Sequence, residues 1–353
     1  MRRLLTVILT TLAVFIAATD NSIAIENGTV EPYKPYIVAI QTSLSDNPFI
    51  NASASPTCTG TLLNSYIVVT AAHCILNRAK ATIADDISVY VPDAGSERNI
   101  YGGWSINYRN NHSVAKVKIL DTYNLTNSAS RQVQTDDIAF LTLNNPIKTE
   151  TPFEFATDDA YKKIRESHSA INIYGFGYMG QIGGVSMFST KLHSAKATIE
   201  TIGTDGQIHN PFLNMEIANS AKSLICVGDS GGPVFTTKDG KLYLLGVNIG
   251  VPTLTEKDLC GFFNSLNNGS TSYFLNINPY LDIYKQVLSE VIANPIPSAQ
   301  PSNSPGYFAL PKQNVETPTK TVLTKKTITC LKGKTTKKIT GISVKCPTGY
   351  KQK

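Results

Sequence analysis

Short apolar runs, separated by clusters of Gly, Asn, Pro and Ser, fill the chain from Ile37 to about Ile277. The clearest are YIVAIQTS (36–43), TLLNSYIVVTA (61–71), ISVYVP (87–92), AKVKIL (115–120), IAFLTL (138–143), INIYGFG (171–177), KLHSAKATIE (191–200), PVFTT (233–237) and KLYLLGVNI (241–249). Runs of this length with turn residues between them predict β-strands, and their number predicts an all-β sandwich or barrel. One segment departs from that pattern. NPYLDIYKQVLSEVIANP (278–295) spaces apolar residues at 281, 284, 287, 288, 291 and 292, the spacing of one helix face. Asn278 and Pro279 supply its start and Pro295 lies beyond its end.

The ends of the chain are different in kind. Arg2 and Arg3 precede an apolar run from Leu4 to Ala18, and Ser22-Ile23-Ala24 offers small residues before a cut. This is the layout of an export signal over 1–24. The run is short for a membrane anchor, and a cut after Ala18 is the rival position. Residues 294–322 are rich in Pro, Ser and Thr and read as an extended linker between a domain at 25–293 and a tail at 323–353. Of the net charge of +6, the stretch 312–353 carries eleven Lys against one Glu, so the body of the protein is net negative. Such a tail suits either an anionic cell-surface polymer or simple solvation. It lacks the interleaved aromatics of a specific nucleic-acid reader.

All six cysteines (58, 74, 226, 260, 330 and 346) lie outside the signal. In an exported protein an even set predicts three disulfides, with Cys330–Cys346 closing a small hairpin in the tail. A zinc site is the rival, but no C-x-x-C or H-x-x-x-H spacing supports it. No metal or cofactor is expected.

Three local patterns carry candidate chemistry. VVTAAHC (68–74) places His73 after an apolar strand and beside a cysteine. TDDIAFLTL (135–143) places an acidic pair before a strand. CVGDSGGPVF (226–235) places Ser230 in a glycine-rich turn. A serine hydroxyl needs a base, and the base needs an orienting partner. Histidine titrates near the working pH, and a buried carboxylate fixes its tautomer. Glycine at 228 lets backbone N–H groups aim at a developing oxyanion, while Gly231 and Gly232 keep the rear of the turn open.

His, Asp and Ser in this order, within TAAHC, DDIA and GDSGGP, resemble the chymotrypsin-like (trypsin-type) serine protease family over about 25–292. The resemblance implies two packed six-stranded antiparallel β-barrels with a C-terminal helix and a catalytic cleft between the barrels. It implies an exported serine endopeptidase acting on protein or peptide substrates through an acyl-enzyme. His73 would be the general base, Asp137 the orienting carboxylate (Asp136 is its alternative) and Ser230 the nucleophile. Gly228 and Ser230 would supply the oxyanion hole. Cys58–Cys74 and Cys226–Cys260 would be family disulfides. His112, His168, His193 and His209 match no motif and are expected at the surface.

The resemblance also accounts for Ile25-Glu26-Asn27-Gly28 standing directly after the signal. A freed Ile25 ammonium would pair with Asp229, so export cleavage after Ala24 would itself activate the enzyme. Leu224, six residues before Ser230, would floor the specificity pocket and favour a small or medium apolar residue before the scissile bond, unless an insertion shifts the register. An inert binding protein of the same fold, held at a surface by the basic tail, is the alternative.

Overall fold

The computed structural model describes residues 24–25, 27–42, 58–77, 80–92, 111–124, 136–182, 185–189, 191–200, 215–220, 223, 225–250, 270–294, 321–323, 326–332, 335–341, 346 and 350–352. The apolar run 4–18, Leu224, Cys260, His209 and most of the 294–322 linker lie outside these residues.

Two closed antiparallel rings of six strands form the body. The first comprises β1 (Ile37–Thr42), β2 (Cys58–Leu62), β3 (Ile67–Thr70), β4 (Ile87–Tyr90), β5 (Asn111–Leu120) and β6 (Ala139–Leu143). It runs in the order β5-β4-β1-β2-β3-β6 and closes where β6 returns to β5, with Val117 opposite Leu141. The second comprises β7 (Ala170–Gly175), β8 (His193–Glu200), β9 (Met215–Ser220), β10 (Pro233–Lys238), β11 (Lys241–Gly250) and β12 (Ser270–Asn276). Its order is β8-β7-β10-β11-β12-β9, and it closes with Ile199 opposite Ala218. Closure leaves few open edges.

Several strands are buried along almost their whole length, including Ile37–Thr42 and Ala139–Leu143. One face fills a barrel and the other is covered by neighbouring elements, so these runs are continuously apolar rather than alternating. TLLNSYIVVTA is two strands, not one. Asn64 Oδ1 accepts from the N–H groups of Tyr66 and Ile67 at 2.8 and 3.0 Å and turns the chain between β2 and β3.

One core cluster spans the first barrel and the junction of the two, and a second lies within the second barrel. Tyr36 packs edge-on against Phe235 and Phe153, with ring centroids 6.0 and 5.8 Å apart, and Phe153 meets Phe235 at 5.3 Å. Such ring pairs add about 0.5–1.5 kcal/mol each beyond the area they bury.

Two helices flank these cores. Helix α1 (Asp158–Glu166) is capped by Thr157, whose hydroxyl accepts from Ala160 N–H at 3.2 Å, with acids in its first turn and bases in its last. Helix α2 (Leu281–Ala293) follows the second barrel but packs back on the first, burying Ile283 and Val287 and stacking Tyr284 on Phe140. Most of the expected stripe packs on the core, with Leu281, Tyr284, Val287, Leu288 and Val291 against it; Ile283 joins them, and Ile292, at the end of the helix, is 69% exposed. No helix among the described residues is long and apolar enough to cross a membrane.

The tail forms a three-stranded sheet, Lys326–Lys332, Thr335–Gly341 and Lys351–Gln352, with Cys330 bonded to Cys346. Just before it, Thr321–Leu323 pairs in parallel with Lys118–Leu120 of β5. The last residues of the expected linker are therefore a strand on the first barrel.

Candidate active site

His73 sits in a short 3-10 turn, Ala72–Ile75, directly after β3. Cys74 within that turn is bonded to Cys58 at the start of β2, which pins the turn to the sheet. Cys58, Cys74 and His73 offer three ligand-type atoms within 4.8 Å of one another. The disulfide consumes both thiolates, so this is a clamp on the histidine turn rather than a metal centre.

Asp137 lies two residues before β6 and is 3% exposed. It holds His73 at two points: Oδ1 accepts from the backbone N–H at 2.8 Å, and Oδ2 lies 2.7 Å from ring Nδ1. A carboxylate on Nδ1 makes that nitrogen the proton-bearing one and leaves Nε2 able to take a proton. Asp136 points elsewhere. Its Oδ1 accepts from the Tyr280 hydroxyl at 2.8 Å and its Oδ2 from Thr122.

Ser230 lies in the turn between Cys226 and β10. Asp229 N–H donates to Cys226 O and Gly232 N–H to Asp229 O, each at 3.0 Å. Strand β11 secures the far side, with Gly231 N–H donating to Asn248 O at 2.6 Å and Asn248 N–H to Gly232 O at 2.8 Å. Gly231 has φ +81, and a Cβ there would stand 2.0 Å from Thr70 Oγ1 and 2.2 Å from Thr59 O. Only glycine fits so close to the first barrel.

The near side is held by Thr59 of β2. Its N–H donates to Ser230 O at 2.8 Å, and its hydroxyl donates to Gly228 O at 2.9 Å while accepting from Phe176 N–H at 3.1 Å. Cys74 Sγ, one residue past His73, lies 3.5 Å from Ser230 O. The serine turn and the histidine turn thus share one wall across the junction of the barrels. Gly228 has φ +98, a backbone state glycine enters at little cost.

Asp229 is fully buried and accepts three N–H groups: Cys226 at 2.7 Å, Gly177 at 2.8 Å and Ile25 at 3.1 Å. Desolvation still pushes its carboxyl up to about 7 against the pull of those bonds. The Ile25 side chain is also fully buried, among the core residues of the second barrel.

The structure brings His73 to Asp137 and Ile25 to Asp229, and sets Ser230 and Gly228 in one turn beside the histidine. Cys226 is disulfide-bonded, but its expected partner Cys260 and the pocket residue Leu224 lie outside the described residues. His193 corrects the expectation of a surface position. It is 0% exposed, paired in β8 opposite Gly175, with Nδ1 2.9 Å from Lys191 O. Burial lowers its pKa. Sequence reasoning missed Thr59, Gly175 and Gly177. A Cβ on Gly175 or Gly177 would collide with the Asp229 carboxyl, at 2.0 and 2.6 Å. The Gly-Phe-Gly string signals a special backbone but not its partner.

A family model described as trypsin matches residues 27–270. The proclotting enzyme of Tachypleus tridentatus is 29% identical over 205 residues, covering 54% of this chain and 50% of that relative. The chain therefore spans about half the length of that relative. With the twin barrels, the histidine–aspartate pair and the GDSGGP turn, the match over 27–270 shows that this chain belongs to the trypsin family and carries its serine protease domain.

Proposed function

We propose that the protein is an exported serine endopeptidase in which Ser230 is the nucleophile, His73 the general base and acid, and Asp137 the orienting carboxylate. The observation that carries this reading is the double hold of Asp137 on His73, at ring and backbone. Nε2 takes the Ser230 proton as Oγ attacks the peptide carbonyl, then returns it to the leaving amine as the tetrahedral adduct collapses to an acyl-enzyme. Water, deprotonated by the same imidazole, releases the acid product. Asp137 stabilises the imidazolium formed in each half-reaction. The N–H groups of Gly228 and Ser230 receive the oxyanion, each such donor being worth about 3–4 kcal/mol.

The same reading gives Ile25 its role. Residues 1–24 direct export and are removed after Ala24, converting the Ile25 nitrogen beside Asp229 from amide to ammonium. Ala24 and Ile25 are both 0% exposed in the uncut chain, so a peptidase reaches the bond between them only while this segment is undocked. Buried charge pairs are costly to break from one side, which makes the pair a clamp on the oxyanion turn. N-terminal sequencing of the secreted active enzyme should begin at Ile25; an active species beginning at Thr19 would overturn this step. Leu224 leaves the pocket floor without a carboxylate, which favours small or medium apolar side chains there.

Ser230→Ala tests the centre of the proposal. Turnover of a peptide substrate should fall by roughly a million-fold, and a serine-directed covalent inhibitor should label the wild type but not the variant. Near-wild-type hydrolysis by Ser230→Ala would remove the nucleophile assignment. An inert binding protein of this fold would show neither turnover nor labelling.

A further inference from the structure

We propose that Asp136 is a positioning residue for Asp137, held by Tyr280 from the C-terminal helix region and by Thr122 from the loop after β5; this rests on the triad reading above. Two carboxylates stand side by side in the chain, and both are buried, at 6% and 3% exposure. Adjacent residues of an extended strand would point to opposite faces. Here both face inward because Asp136 has φ +58, a left-handed state that aspartate adopts only at some cost. The Asp136 carbonyl accepts from Ile138 N–H at 2.8 Å, so the chain doubles back tightly around Asp137 itself.

What holds that turn is the Asp136 side chain. Tyr280 is fully buried at the entry to α2, and its hydroxyl donates to Oδ1 at 2.8 Å, while Thr122 donates to Oδ2. Each carboxylate oxygen thus has a hydroxyl donor, which stabilises the charge and directs it away from Asp137. Tyr280 is in turn fixed by the helix it precedes. Tyr284 stacks on Phe140 of β6 and accepts from Asn64 Nδ2 at 3.2 Å. The helix that ends the second barrel therefore sets the backbone that aims Asp137 at His73.

The consequence is a kinetic role for two hydroxyls that touch neither substrate nor His73. Tyr280→Phe and Thr122→Val each remove one donor with little change of shape. Each should lower kcat by about tenfold, with KM unchanged, because a misaimed carboxylate weakens only the charged transition state. The low-field NMR resonance of the His73 Nδ1 proton should shift or broaden in both. Thr122→Ser restores the donor and should return kcat and the resonance to near wild type. Rates are taken on the best substrate of a peptide panel and normalised by inhibitor titration. If Tyr280→Phe fails to fold, the Thr122→Val and Thr122→Ser pair carries the test. A wild-type kcat and resonance in the hydroxyl-deleted variants, even with a lowered melting temperature, would overturn the proposal. Ser230→Ala run alongside separates the cases: its inactivity with intact hydroxyl variants sinks only this inference, whereas its activity sinks the triad reading.

Discussion

Asp229 makes the proposed activation measurable as a pH effect on stability. In the uncut chain its partner is a neutral N–H of Ile25, and burial raises its pKa from 3.8 to about 7. A carboxyl whose folded pKa is raised binds its proton more tightly when folded. Its stabilising contribution is therefore full below about pH 4 and is lost as pH climbs through 7. A shift of about three pH units corresponds to roughly 4 kcal/mol, a large share of a typical domain's stability. Once the chain starts at Ile25, the same nitrogen carries a positive charge near neutral pH, and an opposite charge at this distance favours the ionised carboxylate. The penalty should then vanish. The assay is denaturant unfolding from pH 4 to 8 on Ser230→Ala protein, which cannot digest itself. One form retains residues 19–24 and the other begins at Ile25. The longer form should lose roughly 4 kcal/mol more than the shorter across that window, and Asp229→Asn should abolish the difference. Glu216, also raised to about 7 by burial, titrates alike in both forms and cancels. Identical pH slopes, or a difference that survives Asp229→Asn, would refute the reasoning.

Two further outcomes follow from the same region. Gly177→Ala puts a methyl group 2.6 Å from the Asp229 carboxyl; it should lower both thermal stability and kcat by displacing that carboxyl, and unchanged values in melting and turnover assays would contradict the close packing. A peptide panel should show preference for small or medium apolar residues before the scissile bond; preference for Arg or Lys would reject Leu224 as the pocket floor.

The barrel strands with continuous apolar runs were legible because burial on two faces leaves a strong local signature. Strands 215–220 and 270–276 were not: MEIANS and STSYFLN mix polar and small residues, and their pairing with each other is a long-range fact. Helix α1 escaped notice because it buries only Tyr161 and Ile164, too narrow a stripe in a charged segment. The histidine–aspartate pair was readable from its motifs alone, since each motif places one group at the end of a strand. The supports were not. Thr59 is one threonine among many until β2 is seen beside the serine turn. Tyr280 lies 144 residues from the carboxylate it holds. His193 looked like a surface residue because nothing local shows which side of β8 faces inward.

The strand at Thr321–Leu323 changes what removing the tail would mean. The chain leaves α2 at Asn294 and is back on the first barrel by Thr321, beside the end of β5 and two residues short of Thr122. A protein ended at residue 311 loses a piece of barrel wall together with its lysines. One ended just after Leu323 keeps the wall and sheds the basic sheet. Comparing the two separates the sheet's charge from the scaffolding that the incoming strand lends to the protease.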